Sequence, residues 1–164
     1  MKLIHSAADF FCFTIENRRF AIPVSVVDTV IMAVAVLPVP NAPQVIYGVF
    51  DFHGVVLPVI NLRQRLNLPD QPVRISDVFI VADTKKRKLA LVADRAVGIV
   101  TPTAMELIHA TDIDQGFESD AILHLEDGMV LIYDIEKFLS AHDEIEWNQA
   151  LEKHNEDKTK PDSV

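Results

Sequence analysis

Six histidines, one cysteine, five glycines and a scatter of carboxylates are the residues from which a reactive or ligand-holding site would be built. Their spacing builds none. His5, His53, His109, His124, His142 and His154 form no HxH or HxxxH pair and have no cysteine at ligand spacing, so no metal site is expected. The glycines at 48, 54, 98, 116 and 128 are isolated and form no phosphate-cradling loop, so no nucleotide or other cofactor is expected. No serine stands in a GxSxG turn. Paired carboxylates fall at turn tips or near the C-terminus, where a solvated surface is their ordinary setting. Cys12 lies in the apolar run Phe10 to Ile15 and reads as a small buried apolar residue. Nothing in these residues argues for catalysis, and the expectation is a protein that is not an enzyme.

The elements that carry these residues are short apolar runs rich in Val, Ile and Phe, bounded by turn residues, so the fold reads as mainly β. Phe10 to Ile15 and Phe20 to Val24 flank a polar tip, Glu16 to Arg19. Val78 to Ala82 and Leu89 to Val92 flank another, Asp83 to Lys88; both tips are cationic. Gly54 to Leu62 and Gly128 to Ile135 share a glycine, Val-Leu, an apolar run and then Asn or Asp. A hairpin first and a glycine-led strand last, twice, is the pattern of two similar small barrels in tandem. Gly54 and Gly128 each suit a turn with positive φ, and Pro58 suits an edge strand or a bulge. Ser25 to Met32 reads as one turn of helix at most. Asp134 to Ser140 reads as a short helix that Asp134 caps, with Ile135, Phe138 and Leu139 on one side and a continuation through Ile145, Trp147 and Leu151. Thr101 to Glu106 reads as a turn into a short strand.

A chain of 164 residues suits one domain that buries roughly 70% of its unfolded surface. With 24 acidic and 15 basic residues the formal charge is −9, which disfavours nucleic acid or anionic lipid as a direct partner. Residues 141–164 hold seven carboxylates and three lysines, and their last third is expected to fray. The N-terminus is a poor signal peptide, no window has the length of a spanning helix, and a lone cysteine suits a reducing compartment, so the expected setting is cytoplasmic.

From Asn41 to Arg63 the motifs follow a known order: Asn41-Ala42-Pro43, Gly48-Val49, Asp51-Phe52-His53-Gly54, Leu57-Pro58-Val59-Ile60 and Asn61-Leu62-Arg63. This resembles the CheW-like family, that is, the chemotaxis coupling protein and the corresponding domain of its partner kinase. The resemblance covers roughly residues 9–140. It implies two five-stranded SH3-like barrel subdomains packed together, with short helices including one near the C-terminus. It divides the chain into an N-terminal segment 1–8, a CheW-like domain 9–140 and an acidic tail 141–164 that is partly helical or disordered. It also implies a scaffold that binds a CheA-type histidine kinase and a chemoreceptor's cytoplasmic tip without entering the membrane, and that is recruited to receptor arrays. Carried over residue by residue, the receptor-side groove takes Val27, Thr29, Asp51, Phe52, His53 and Arg63, with Pro43, Gly48, Gly54 and Gly128 as structural turn residues.

Two positions depart from the family pattern. Its Asn-Leu-Arg-Gly turn is Asp51-Phe52-His53-Gly54, so histidine replaces a fixed charge. Its Val-x-Glu-Ile falls on Val27-Asp28-Thr29-Val30, with Thr29 for glutamate. Either a receptor-facing charge set has been retuned or two surface positions have drifted. Phe52 adds an apolar group that is core or an anchor for a partner. The alternative function is a divergent scaffold of a non-flagellar, for example pilus-type, pathway that docks a kinase or a localisation factor without receptors. A small enzyme on an SH3-like scaffold is a third reading, and it needs a convergent polar pocket.

Overall fold

The computed structural model describes residues 9–102, 107–109 and 121–159. Segment 1–8 and most of the turn expected at Thr101 to Glu106 lie outside the described residues. Strands β1 (Phe10–Ile15) and β2 (Arg18–Pro23) form a hairpin, and β3 (Val27–Met32), β4 (Ile46–Phe52) and β5 (Val55–Ile60) follow. A four-residue helix α1 (Leu62–Arg65) leads towards the hairpin β6 (Val78–Asp83) and β7 (Lys88–Ala93). Then come β8 (Arg95–Val100), β9 (Leu107–His109), β10 (Ala121–Leu125), β11 (Gly128–Ile132) and a long helix α2 (Ala141–Thr159).

The strands make two sheets, which we call A and B. Sheet A has the order β8-β1-β2-β11-β10-β9 and sheet B the order β3-β6-β7-β5-β4, so one sheet has the expected five strands and the other a sixth, β9, at its edge. The two sheets are interleaved along the chain, whereas the sequence repeat suggests barrels in tandem. The N-terminal hairpin joins the second glycine-led strand, with Phe20 beside Leu131 and Ala21 beside Ile132 in a parallel pair. The second hairpin joins the first glycine-led strand in the same way, with Ala90 beside Val59 and Leu91 beside Ile60. The repeat is real at the level of elements, but each hairpin completes the other half's sheet. Apolar patterning specifies which face is buried and leaves the choice of neighbour open.

Three apolar clusters follow from this arrangement. One lies within sheet A around Phe10, Cys12, Ala21, Leu123 and Val130, and another within sheet B around Phe50, Leu57, Val59, Phe79 and Val81. The largest joins the sheets, taking Phe13, Ile15, Phe20 and Ile22 from A and Ile60, Ile80, Leu89 and Leu91 from B. Full burial of each such side chain contributes about 1.5–3 kcal/mol, and the two sheets share this core.

Local chemistry explains the departures from expectation. The first hairpin turns on Glu16 and Asn17 alone, both left-handed at φ 51° and 61°, which is the two-residue turn whose twist matches the strands. Arg18 and Arg19 are therefore strand residues. Between Val24 and Met32 only Val24–Val26 is helical, as one 3₁₀ turn. Val27, Thr29, Val30 and Ile31 are β-branched, suit a pleated strand and pair with β6. Strand β5 is interior, yet β7 pairs only with its Val59 and Ile60, so Pro58 sits just before that ladder begins.

Asp134 accepts a hydrogen bond from the Glu136 backbone at 2.9 Å, but the turn it caps is a short 3₁₀ segment, Ile135–Lys137. The α-helix proper starts after Ser140. The Ser140 hydroxyl accepts from the Asp143 N–H at 3.0 Å while the Asp143 carboxylate accepts from the Ser140 N–H at 2.9 Å, a reciprocal cap. Trp147 and Ala150 enter the inter-sheet core, whereas Ile145 points outward. The division at residue 140 thus cuts through the core, and helix continues to Thr159 where fraying is expected from composition.

Burial opposes ionisation of Asp143, but hydrogen bonds from Ser140 and the charge of Arg65 outweigh it and hold the carboxyl below its usual 3.8. A lowered folded-state pKa stabilises above the unfolded value and loses that contribution as pH falls through the folded one. Urea unfolding of wild type and Asp143→Asn should therefore differ at neutral pH and converge below the usual carboxylate range. A difference independent of pH would show that the charge is not what matters.

Candidate partner-binding surface

The turn expected to carry recognition is built with little freedom. Gly48 has φ 153°, and a Cβ placed on it would stand 2.2 Å from the Leu37 carbonyl oxygen. Leu37 and Val49 exchange backbone hydrogen bonds of 2.8 and 2.9 Å there, so the chain after β3 is laid directly on β4. Pro43 is buried just before, its carbonyl accepting from the Ile46 N–H at 2.9 Å. At the far end of β4, His53 and Gly54 have φ 51° and 85°, again a two-residue turn. The Asp51 carboxylate accepts from the Gly54 N–H at 2.7 Å and so serves the turn itself. Phe52 is half-buried: its ring meets Phe50 at 6.2 Å on the core side and His53 edge-on at 4.5 Å on the outside. It is both core margin and partly displayed.

Val27 and Thr29 stand on β3, and Asp51, Phe52 and His53 on and just after β4. These are the two edges of sheet B, with β6, β7 and β5 between them. The register of β3 slips between Val27 and Thr29, at Asp28, whose carboxylate takes the Lys88 ammonium at 2.7 Å. Hydrogen bonds to Asp28 and to Asp83 keep the Lys88 pKa above its usual value.

Arg63 is placed differently from the other five. Its side chain is only 7% exposed. One arm of the guanidinium meets Glu16 and the Pro69 carbonyl, and the other meets Asp94 at 2.8 Å. Burial works against its charge, but the hydrogen bonds to Glu16 and Asp94 more than offset this and raise its pKa. Arg63 faces inward and offers a partner no surface, so the six expected residues do not form one groove.

Two apolar surfaces escaped sequence reasoning. On β8, an edge strand of sheet A, Val97 and Ile99 are 55% and 63% exposed, and Ile99 pairs with Phe11 at the margin of the inter-sheet core. Val27 and Val30 of β3 fringe the same core. A second surface follows β3, where Met32, Val34 and Leu37 are exposed and residues 33–36 line a hollow with Tyr47 and residues 72–75. Strand periodicity could not find them, because an edge strand and a central strand carry the same alternation.

Cys12 and Tyr47 are both held in their protonated forms. Burial raises the Cys12 pKa and keeps the thiol protonated. The Tyr47 hydroxyl donates to the Gln71 carbonyl at 2.7 Å, and burial followed by the charge of Asp70 pushes its pKa up to about 12. The polar cleft beside it is lined by Gln44, Asn61, Gln64, Asn67 and Asp70, mostly amides that neither take nor give protons near neutrality. Among the described residues no group of three or more His, Cys, Asp or Glu is placed to hold a metal ion, and no helix is long and apolar enough to cross a membrane.

Residues 9–143 match the CheW-like domain. The chain is 24% identical over 137 residues to the chemotaxis protein CheW of Rhizobium meliloti, covering 82% of this chain and 88% of that one. It is 25% identical over 164 residues to the chemotaxis protein CheW of Bacillus subtilis, covering 98% and 97%. The fold is similar to that of the scaffolding protein TtCheW from Thermoanaerobacter tengcongensis, with a TM-score of 0.71 and 17% identity over 79% of this chain and 90% of that one.

Proposed function

This chain belongs to the CheW-like domain family, and on that premise we propose that it is a non-catalytic adaptor of chemotaxis signalling that couples chemoreceptors to a CheA-type histidine kinase. The observation that carries this reading is the pair of edge strands β3 and β8, whose apolar side chains border the core between the sheets. Unpaired strand edges beside exposed apolar residues are surfaces that bind other chains. In this reading Val27, Thr29, Asp51, Phe52 and His53 lie on the receptor side, joined by Val97 and Ile99. Arg63 supports them from inside. The protein works in the cytoplasm, is recruited to receptor arrays through its partners and engages no nucleic acid, in keeping with a formal charge of −9.

One feature favours a second reading, a divergent scaffold of a non-flagellar pathway that docks a kinase or a localisation factor without receptors. Where the family pattern has an arginine and a glutamate, His53 presents an aromatic edge packed on Phe52 and Thr29 carries no charge. Binding of purified wild type and of His53→Arg with Thr29→Glu to a chemoreceptor cytoplasmic fragment, and separately to a CheA-type kinase, divides the two. Coupling predicts wild-type binding to both and tighter receptor binding by the double variant. Kinase binding with no receptor binding by either form would establish the divergent scaffold, and binding to neither would overturn both readings.

A further inference from the structure

The apolar core between the sheets is extensive, and contacts of that kind favour closeness without selecting one angle. Directional contacts add to it: the Lys85 N–H in the β6-β7 tip donates to the Glu136 carboxylate at 2.7 Å, Arg65 meets Asp143, and Arg63 forms a buried cluster with Glu16, Asp94 and Arg74. Glu16 is the tip of the first hairpin and belongs to sheet A. Arg63 stands on α1, immediately after β5 of sheet B. Asp94 is the residue between β7 and β8, where the chain passes from sheet B to sheet A. Its carboxylate accepts from Arg63 at 2.8 Å and from the Glu16 backbone N–H at 3.0 Å, and it lies 3.4 Å from Arg74. Its own N–H donates to the Thr14 carbonyl at 2.9 Å. The hairpin tip cannot easily yield, because both its residues are held in the left-handed region.

We propose that Arg63, Glu16 and Asp94 form a joint that sets the angle between the two sheets, with Arg63 as its positioning residue. Buried ion pairs add little to net stability against apolar replacements of similar volume, and their best-attested contribution is to select one arrangement among several. A forked guanidinium that reaches from the end of sheet B to the hairpin tip of sheet A with one arm and to the strand crossing with the other is suited to that task, since rotation of one sheet against the other strains one arm or the other. The consequence reaches the partner surface: β3 and β8 belong to different sheets, so their separation follows the angle that the joint holds.

The test uses the full chain without a partner, so it stands or falls separately from the adaptor reading. Backbone N–H residual dipolar couplings are measured for β1, β2, β10 and β11 and, independently, for β4 to β7. In the wild type one alignment tensor should fit both sets. In Arg63→Met, which keeps much of the side-chain volume, each sheet should fit its own tensor well while the two tensors differ in orientation. Glu16→Gln keeps the geometry and removes one charge, and should give a smaller change of the same kind. It also stands in if Arg63→Met does not fold. One common tensor in the variant that folds, whatever its loss in thermal midpoint, would overturn the proposal and leave the apolar core and the remaining contacts, Lys85 to Glu136 and Arg65 to Asp143, as the determinants of the angle.

Discussion

Gly48→Ala is expected to cost at least about 3 kcal/mol of folding stability, an effect in the range reserved for strained backbone positions and steric overlap. The new Cβ would meet the Leu37 carbonyl oxygen at 2.2 Å, its carbon at 2.8 Å and Val36 Cγ1 at 2.8 Å. Two of these are backbone atoms, and the paired hydrogen bonds between Leu37 and Val49 oppose their retreat. The control is Gly54→Ala, where the backbone also has positive φ but a Cβ would meet nothing within 4 Å. That change should cost only about 1 kcal/mol, the conformational penalty alone. Urea unfolding of both variants separates the terms. Equal losses would mean that residues 36–37 swing away freely and that the strand-like bridge to β4 is not a rigid part of the fold.

Trp147→Ala should remove about 3–5 kcal/mol, since it empties the site of the largest fully buried side chain. The loss would release the helix that contains it, because Ala150 is the only other fully buried apolar residue of α2. The remaining attachments are Leu151 at the core margin and polar contacts, chiefly Arg65 to Asp143 and Arg87 to Glu144. Among the described residues Trp147 Nε1 has no hydrogen-bond partner, so Trp147→Phe sacrifices no such bond and should cost only about 1 kcal/mol. Far-UV circular dichroism follows both variants without relying on the indole. A small loss for Trp147→Ala would place the helix outside the cooperative unit.

The legible parts of this chain were those set by local chemistry. Alternating apolar runs located the hairpins, Gly54 and Gly128 marked positive-φ turns, and Asp134 marked a cap. The helical spacing of Trp147 and Leu151 was legible within the acidic 141–159, whereas the burial of Trp147 and Ala150 and the two carboxylates that meet arginines from other elements depend on the rest of the fold. The exposure of Val97 and Ile99 was invisible for a related reason: it depends on β8 being last in its sheet, which is a property of topology. Arg63 shows the same limit. Its motif was recognisable, but its direction depends on Glu16 and Asp94, 47 and 31 residues away in the chain.

The interleaving of the sheets also bears on the order in which the protein is made. Residues 27–93 contain every strand of sheet B, so that sheet has all its parts as soon as β7 leaves the ribosome. The hairpin β1-β2 is synthesised before any strand of sheet B, yet Phe20 finds its neighbour only when Leu131 emerges. At roughly 5–20 residues per second this is a wait on the order of ten seconds. Until β7 is made, Phe13, Phe20 and Ile22 also lack the face of sheet B against which they pack. The sheet begun by the first hairpin is thus the last of the two to close.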